Sequence, residues 1–382
     1  MTEIVTFVDE GLGHSSYLVD LGDGRALVVD PPRIPNRHVD EAHARGLEIA
    51  LTADTHSHAD YVSGSPELAA QGALFLASKG ANLEIAHRAV AAGDEIELRP
   101  GLVLRAIATP GHTPDHLAYL LYEGDRPAAL FSGGSLMVGT VGRTDLLGPE
   151  PREELARQLY RALRDQILTL PDDVTVYPTH GAGSFCSAPG ASERTTTIGR
   201  ERATNPMLAV RDEDTFVERL LAGFGSFPSY FSRLPELNRR GPRLYRSLPA
   251  LDRLDVSRVR ELIATGAVLV DVRTIEDFAA GHIPGALNVD SAGFYDPKTN
   301  RLKPKAELAA IANTLPAGPA VSYCNTGHWA ATDWFVLHDV LGRKETRLYA
   351  GSMVEWTSNA NRPIESSRTK WDDLKKALGL GS

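Results

Sequence analysis

The amino-acid sequence predicts an α/β protein with two separately cored domains, and three observations lead there. Short apolar segments bounded by Gly, Pro and Asp recur through the first 131 residues, which is the punctuation of strands and turns. Leu155, Leu159, Leu163 and Ile167 fall at a four-residue spacing, the stripe of an amphipathic helix that covers a sheet. Far downstream, Val321-Ser322-Tyr323-Cys324-Asn325-Thr326-Gly327-His328-Trp329-Ala330-Ala331-Thr332 reads as a strand, a tight loop and a helix, and a chain of 382 residues is long enough for two or three cores.

Taken in order, short strands fill residues 4–30. A helix is expected over 36–45, just after Pro35, and another over 66–71. Strands then dominate, at 74–77, 95–98, 102–107, 117–122 and 128–131, followed by the amphipathic helix over 153–168. The stretch 216–237 mixes apolar positions with Gly and Pro and is assigned to a helical extension, whose Phe227-Pro228-Ser229-Tyr230-Phe231 can reach a pocket. Periodicity breaks around Pro249, which places a linker over 244–255, and a helix resumes over 256–264. The expected domains are residues 1–245, with the extension starting at about residue 200, then 252–366, then a tail over 367–382.

Composition narrows the function classes. The formal net charge is −9 and no basic tract offers phosphate neutralisation, so a nucleic-acid partner is not expected. The arginines between 239 and 246 are interrupted by Pro242 and Leu244 and suit a solvated surface. No apolar run has membrane-spanning length and Met1-Thr2-Glu3-Ile4 lacks the features of a signal peptide, so no membrane partner and a cytoplasmic location are the expectation. Cys186 and Cys324 fall in different expected domains and make no disulfide framework.

The most informative stretch is Thr55-His56-Ser57-His58-Ala59-Asp60-Tyr61, which follows the apolar run Ile49-Ala50-Leu51. A strand ending in a turn can aim His56, His58 and Asp60 at one point, and neutral imidazoles with carboxylates suit zinc or iron. Alone, the stretch also reads as a polar loop with two solvated histidines. Thr109-Pro110-Gly111-His112-Thr113 and Tyr177-Pro178-Thr179-His180 add His112 and His180, each just after a β-rich apolar segment, so three strand ends converge.

With these residues in view, about residues 1–200 resemble the metallo-β-lactamase fold superfamily, whose signature is HxHxDH, then a Gly-His, then a last His. Gly13-His14-Ser15-Ser16-Tyr17-Leu18 and Ala26-Leu27-Val28-Val29-Asp30 fit the same resemblance. It implies an αββα sandwich. Phe131-Ser132-Gly133-Gly134-Ser135-Leu136 and Gly142-Arg143-Thr144-Asp145 look like the persulfide dioxygenase branch more than the lactamases or glyoxalase II enzymes. Two positions depart from the pattern: Tyr61 stands where the signature has its third histidine, and Gly134 where an aspartate is expected. In that branch iron sits on the first signature histidine, the Gly-His histidine and that aspartate, so the resemblance carries over His56 and His112. The third ligand stays open between Asp60 and His58, with His180 completing or buffering the shell. One divalent metal is implied, Fe(II) favoured and Zn(II) the alternative, and a two-metal centre is disfavoured. Arg143 either binds an anionic substrate group or forms a turn ion pair with Asp145. Asp115 and His116 are expected to orient the loop, and Cys186 either accepts sulfur or packs as a small residue.

Cys324 ends a strand just before a glycine-containing turn that opens a helix. Backbone N–H groups and the positive helix end then point at its sulfur, which favours a thiolate or an anionic persulfide. The alternative is a buried, inert cysteine. With Val270-Asp271-Val272-Arg273 and Gly281-His282-Ile283-Pro284-Gly285-Ala286, the region resembles a rhodanese domain over about 252–366, with Cys324 as the sulfur-carrying nucleophile. In this reading Asp271 and Arg273 order the pocket, Asn325, Thr326 and Gly327 form the loop, and His328 and Trp329 shape it. No lysine or arginine lies between Cys324 and Ala330, so a dianionic donor has little electrostatic help, and a persulfide donor or a sulfite acceptor stays open.

Together the resemblances imply a sulfur-metabolism enzyme. A persulfide dioxygenase-like domain oxidises a low-molecular-weight thiol persulfide, and a sulfurtransferase moves sulfane sulfur to or from sulfite or thiosulfate. Three alternatives compete: a zinc metallohydrolase of thioester or lactone with an accessory rhodanese, a sulfurtransferase beside a degenerate metal domain, and a persulfide carrier or sensor. A homodimer is a further implication of the resemblance.

Overall fold

The computed structural model describes residues 2–186, 193–225, 227–245, 254–296 and 301–367. The chain divides into two compact units, Met1–Pro249 and Ala250–Ser382. Most of the expected linker and all but the first residue of the expected tail lie outside the described residues.

The first unit has two six-stranded sheets. One contains β1 (Ile4–Asp9), β2 (His14–Asp20), β3 (Arg25–Val29), β4 (Glu48–Ala53), β5 (Leu74–Ser78) and β6 (Arg88–Val90) in sequence order, the first three antiparallel and β3 to β6 parallel. The other is built from β7 (Glu95–Arg99), β8 (Leu102–Ala108), β9 (Leu117–Glu123), β10 (Arg126–Gly133), β13 (Thr175–Pro178) and β14 (Thr196–Thr197), in the order β14-β13-β10-β9-β8-β7. A small hairpin, β11 (Leu136–Met137) and β12 (Thr140–Val141), follows β10. Tyr17, Val19, Leu27 and Val29 of the first sheet and Leu104, Tyr119, Leu121 and Phe131 of the second are fully buried in one cluster between the sheets. Each such side chain contributes roughly 1.5–3 kcal/mol by leaving water.

The outer faces are covered by helices. Ala42 of α1 (Asn36–Ala44) and Leu68 of α2 (Ser65–Ala69) pack on Leu18, Ala26 and Val28. Ala156 and Leu159 of α3 (Arg152–Ala162), Ile198 of α4 (Ile198–Thr204) and Phe216 of α5 (Glu213–Ala222) pack on Ala118, Leu120, Leu130 and Val176. This is the expected αββα sandwich. Two helices differ from expectation. The segment expected over 153–168 leaves α-helical geometry after Ala162 and continues as a π turn over Leu163–Ile167, still burying Leu163 and Ile167. The extension expected over 216–237 breaks after Ala222, where Gly223, Gly225 and Pro228 cannot sustain a helix, and resumes as α6 (Leu234–Arg240).

Strand direction places the site. β8, β10 and β13 run the same way, as do β3 and β4, so the loops after them emerge at sheet edges. An isolated antiparallel bridge between His14 and His180 joins the edge of the first sheet to that of the second. The residues after β3, β4, β8, β10 and β13 are therefore brought to one place, and they include His56, His58, His112, His116 and His180.

The second unit is a four-stranded parallel sheet in the order β16 (Leu287–Asn288), β15 (Val268–Asp271), β17 (Ala320–Tyr323), β18 (Thr346–Leu348). Helices α7 (Val256–Ala264) and α11 (Ser352–Thr357) bury Val259 and Trp356 against one face, while α9 (Lys305–Ala312) and α10 (His328–Phe335) bury Leu308 and Ala330 against the other. The short α8 (Ile275–Ala280) is capped by Thr274, whose hydroxyl accepts from the Asp277 N–H. Asp333 of α10 is fully buried and accepts a hydrogen bond from the Ser322 hydroxyl, and burial pushes its carboxyl up to about 7.

Because that folded value exceeds the ordinary one, the fold favours the protonated acid, and the associated stability is complete below about pH 4 and lost as pH rises to about 7. The Asp333→Asn variant, which cannot ionise, is expected to melt higher relative to the unmodified chain at pH 8 than at pH 5. A difference in melting temperature that is the same at both pH values would contradict this.

Candidate functional site

One nitrogen from each of His56, His112 and His180 lies within 4.8 Å of the other two, and all three side chains are buried. Their hydrogen bonds decide which nitrogen is free. His112 Nδ1 is 2.8 Å from the Arg143 carbonyl, which only accepts, so Nδ1 carries the proton and Nε2 the lone pair. Thr55 Oγ1 donates to Asp30, so it accepts from His56 Nδ1 at 2.9 Å and leaves His56 Nε2 as a lone pair. His180 Nδ1 lies 3.4 Å from Asp60 Oδ2, and its Nε2 is 3.4 Å from His56 Nε2. The lone pairs of His56 and His112 therefore face the His180 ring. His112 Nε2 and both Asp60 oxygens have no hydrogen-bond partner, an expensive condition for buried groups that a shared cation relieves. Burial, with the neighbouring imidazoles adding to it, holds His56 well below its ordinary pKa, and burial takes His112 down to about 3, so both are in the neutral, ligating form.

His58 is held differently. Its Nε2 donates to Asp30 Oδ1 at 3.1 Å and lies 2.9 Å from the Tyr61 hydroxyl, which itself donates to the Asp30 carbonyl at 3.2 Å. Nδ1 of His58 is unpartnered, and His58, Asp60 and His180 form a second close grouping. Burial opposes ionisation of Asp60, but His180 and His58 outweigh it and hold the carboxyl well below the usual range. Burial raises the Tyr61 phenol well above its ordinary value, so it remains a neutral donor.

Several groups were not legible as site residues. Asp30, at a left-handed φ of 51°, accepts from the Thr55 N–H at 2.7 Å, from Thr55 Oγ1 at 2.8 Å, from the Thr179 hydroxyl and from His58. It thereby fastens the loops after β3, β4 and β13. Asn238 of α6 donates to the carbonyls of His58 and Tyr61 at 2.9 and 3.0 Å and accepts from the Ser63 N–H. Asp115 and His116, by contrast, were expected to orient the loop: Asp115 accepts from both the N–H and hydroxyl of Ser57, and His116 Nε2 accepts from the Gly134 N–H at 2.9 Å.

Arg143 does not face a substrate. Nε and Nη2 grip Asp145, Nη1 and Nη2 donate to the carbonyls of Phe185 and Gly225, and the guanidinium stacks 4.6 Å from the Phe227 ring centre. Of the two expected roles the ion pair is the one observed, and the arginine adds to it by positioning His112 through its carbonyl. Cys186 is fully buried among Ala59, Leu146 and Phe231, and burial pushes its thiol well above the ordinary value, an environment for packing and not for reactivity. A Cβ added to Gly134 would lie 2.2 Å from the His112 ring, so the space an aspartate needs there is already filled. A cavity of about 520 Å³ adjoins the centre. Ser57 and Ala59, which alternate with the ligand residues, and Thr113, which follows His112, line it, as does Phe227.

In the second unit Cys324 follows β17 and is 2 % exposed. The Gly327 N–H points at its sulfur at 3.0 Å. Gly327 has φ 93°, and a Cβ there would meet the Ala350 carbonyl at 2.5 Å, so glycine is required on both grounds. Arg273 clamps Asp271 through Nε and Nη2, donates to the Gly281 carbonyl at 2.7 Å and reaches Asn325 Oδ1 at 3.3 Å, joining the three motifs around the loop. Thr326 Oγ1 lies 3.1 Å from His328 Nδ1, and Trp329 is 39 % exposed at the start of α10.

Known proteins resemble both units. The rhodanese-like domain family matches residues 255–359. The chain is 29% identical over 205 residues to the human mitochondrial persulfide dioxygenase ETHE1, covering 52% of this chain and 73% of that protein. It is 35% identical over 143 residues to the thiosulfate sulfurtransferase of Corynebacterium glutamicum, which is 31% of this chain and 47% of that relative, so it spans about half of that relative's length. A crystal structure of a metallo-β-lactamase from Staphylococcus aureus aligns with a TM-score of 0.64 at 26% identity, over 91% of this chain and 99% of that one.

Two substitutions test the centre. Asp30→Ala is expected to weaken metal binding about 10- to 100-fold, as loss of an outer-shell partner does, measured by competition with a chromogenic chelator. Gly134→Asp is expected to reduce bound metal by displacing His112, and two equivalents of metal in that variant would show that the glycine is merely a missing ligand.

Proposed function

We propose that this chain, in which a metallo-β-lactamase-fold unit is followed by a rhodanese-like domain, oxidises low-molecular-weight thiol persulfides in its first unit and exchanges sulfane sulfur in its second. The observation that carries the metal half is the convergence of His56, His112 and His180, with the Nε2 lone pairs of His56 and His112 already selected. These residues would hold one divalent ion, with Fe(II) preferred. When bound, such an ion supplies the electron-transfer chemistry with dioxygen that no side chain provides. The overall reaction takes RSSH, O₂ and H₂O to RSH, sulfite and two protons, and the four electrons lost by the outer sulfur are those gained by dioxygen. Thr55 and Arg143 fix the tautomers of His56 and His112, and Ala59 and Phe227 present an apolar wall that limits water beside these residues.

In the second unit the Gly327 N–H stabilises negative charge on Cys324. The Cys324 thiolate attacks the outer sulfur of a persulfide, forming a new S–S bond and releasing the carrier thiol. Sulfite then attacks the outer sulfur of the Cys324 persulfide, so that the S–S bond of thiosulfate forms as the enzyme S–S bond breaks and the thiolate returns. Joining the two activities in one chain raises the local concentration of sulfite at the second site.

Three imidazoles also suit zinc with an activated water, which supports a second reading as a thioester hydrolase. Elemental analysis of anaerobically purified protein together with oxygen uptake on a thiol persulfide separates the two. Iron with uptake is expected; stoichiometric zinc with thioester cleavage and no uptake would replace the first reading. Cys324→Ser is expected to abolish thiosulfate formation while sulfite still accumulates, and His112→Ala to abolish oxygen uptake while persulfide-to-sulfite exchange persists, both followed by chromatography of the sulfur products.

A further inference from the structure

We infer that the cavity beside the imidazole cluster selects persulfides whose carrier thiol bears no net negative charge. The inference deepens the proposed function and rests on it for the reaction, but not for binding. Leu146, Leu147 and Phe227 make the cavity wall apolar, and among the described residues the charged groups lining it are Asp115, Glu236 and Arg239. The Arg239 guanidinium is already spent, with Nε and Nη2 on Glu236 at 2.7 and 2.9 Å and Nη1 on Glu84 at 2.7 Å, and Arg240 Nε also holds Glu236 at 2.5 Å. Glu84, Glu236 and Asp115 against these two guanidiniums leave an excess of one negative charge, and it resides on Asp115, whose carboxylate accepts from Ser57. Arg143 offers no substitute, because its guanidinium is held by Asp145 and two carbonyls and lies against Phe227, a residue of the cavity wall.

A carrier with a surplus carboxylate would therefore shed water against Asp115 with no unpaired cation among the described lining residues to receive it, an arrangement that rejects by repulsion as well as by lost solvation. A neutral body gains from the apolar wall, and an ammonium group gains further from Asp115. The anionic sulfur is the exception, because the ion that His56, His112 and His180 would hold supplies its counter-charge.

The test compares one skeleton at two charges, glutathione and its dimethyl ester, which differ by two carboxylates and little in shape. Binding of their unreactive S-methyl forms to the full metal-loaded chain is measured by calorimetry, and oxygen uptake is measured on the two persulfides. The ester is expected to bind roughly 100-fold more tightly, about tenfold for each of the two carboxylates removed when a like charge stands across about 10 Å of partly dehydrated pocket, and its persulfide to show the higher kcat/KM. Glu236→Lys, on an exposed helix face, adds a cation and frees Arg240 while Arg239 keeps Glu84, and is expected to narrow or reverse the ranking. Equal or tighter binding of the free acid, or a ranking unchanged by Glu236→Lys, overturns the inference. Absence of uptake with either persulfide while the thioethers still rank as expected defeats the dioxygenase reading and leaves the charge selection standing.

Discussion

The carboxylate of Asp30 is the constraint on which the first unit's chemistry depends. It is completely buried, a state that costs several kcal/mol for a lone charge, and it is compensated by donors from two other loops, Thr55 and His58 after β4 and Thr179 after β13. Burial works against its charge and His58 more than offsets this, so the carboxyl stays ionised with a pKa near 2. The consequence is geometric. Thr55 can give its only proton to Asp30 and must accept from His56, while Thr179 delivers His180 in register. Ligand positions and tautomers are thus set by the protein's own hydrogen bonds, and a cation entering the site finds lone pairs that need little reorganisation.

The two units solve opposite electrostatic problems with the same economy. In the first, acceptors converge: neutral imidazoles and an unpaired Asp60 carboxylate face inward, which is a demand for positive charge. In the second, a donor meets the sulfur: the Gly327 N–H reaches Cys324 Sγ, while Arg273 secures Asp271 and Asn325 around the loop. A backbone donor at that position suits an anionic sulfur. Neither site relies on a free surface charge, so both should be insensitive to screening by salt.

Much of this was readable in the sequence because strand ends are. His56, His112 and His180 each follow an apolar, β-rich run, and the layered sandwich places such ends together. The Cys324 loop was equally readable, since a strand, a glycine and a helix in succession leave few ways to fold. What could not be read depends on tertiary register. Asp30 was visible as the end of a strand motif, but its role needs a positive φ and a donor, Thr179, that is 149 residues away. Asn238 sits on a helix whose docking no local pattern announces, and it fixes the His58 and Tyr61 carbonyls from there. The third ligand was left open between His58 and Asp60 because spacing alone cannot say that Asp30 and Tyr61 occupy the Nε2 side of His58, or that His180 groups both with His56 and His112 and with His58 and Asp60.

Tyr61 and Gly134, which depart from the resembling pattern, are better understood as a pair of linked features than as two losses. Tyr61 has turned its hydroxyl to His58 Nε2 and the Asp30 carbonyl, so the side chain that would serve a second metal now stiffens the support of the first. Gly134 removes a bridging carboxylate and in the same stroke admits the His112 ring, which lies where that residue's Cβ would project. With His58 held by its Nε2 side, the imidazoles of His56, His112 and His180 lie together. A site that had simply decayed would retain space for its missing aspartate, and here that space is occupied by the His112 ring.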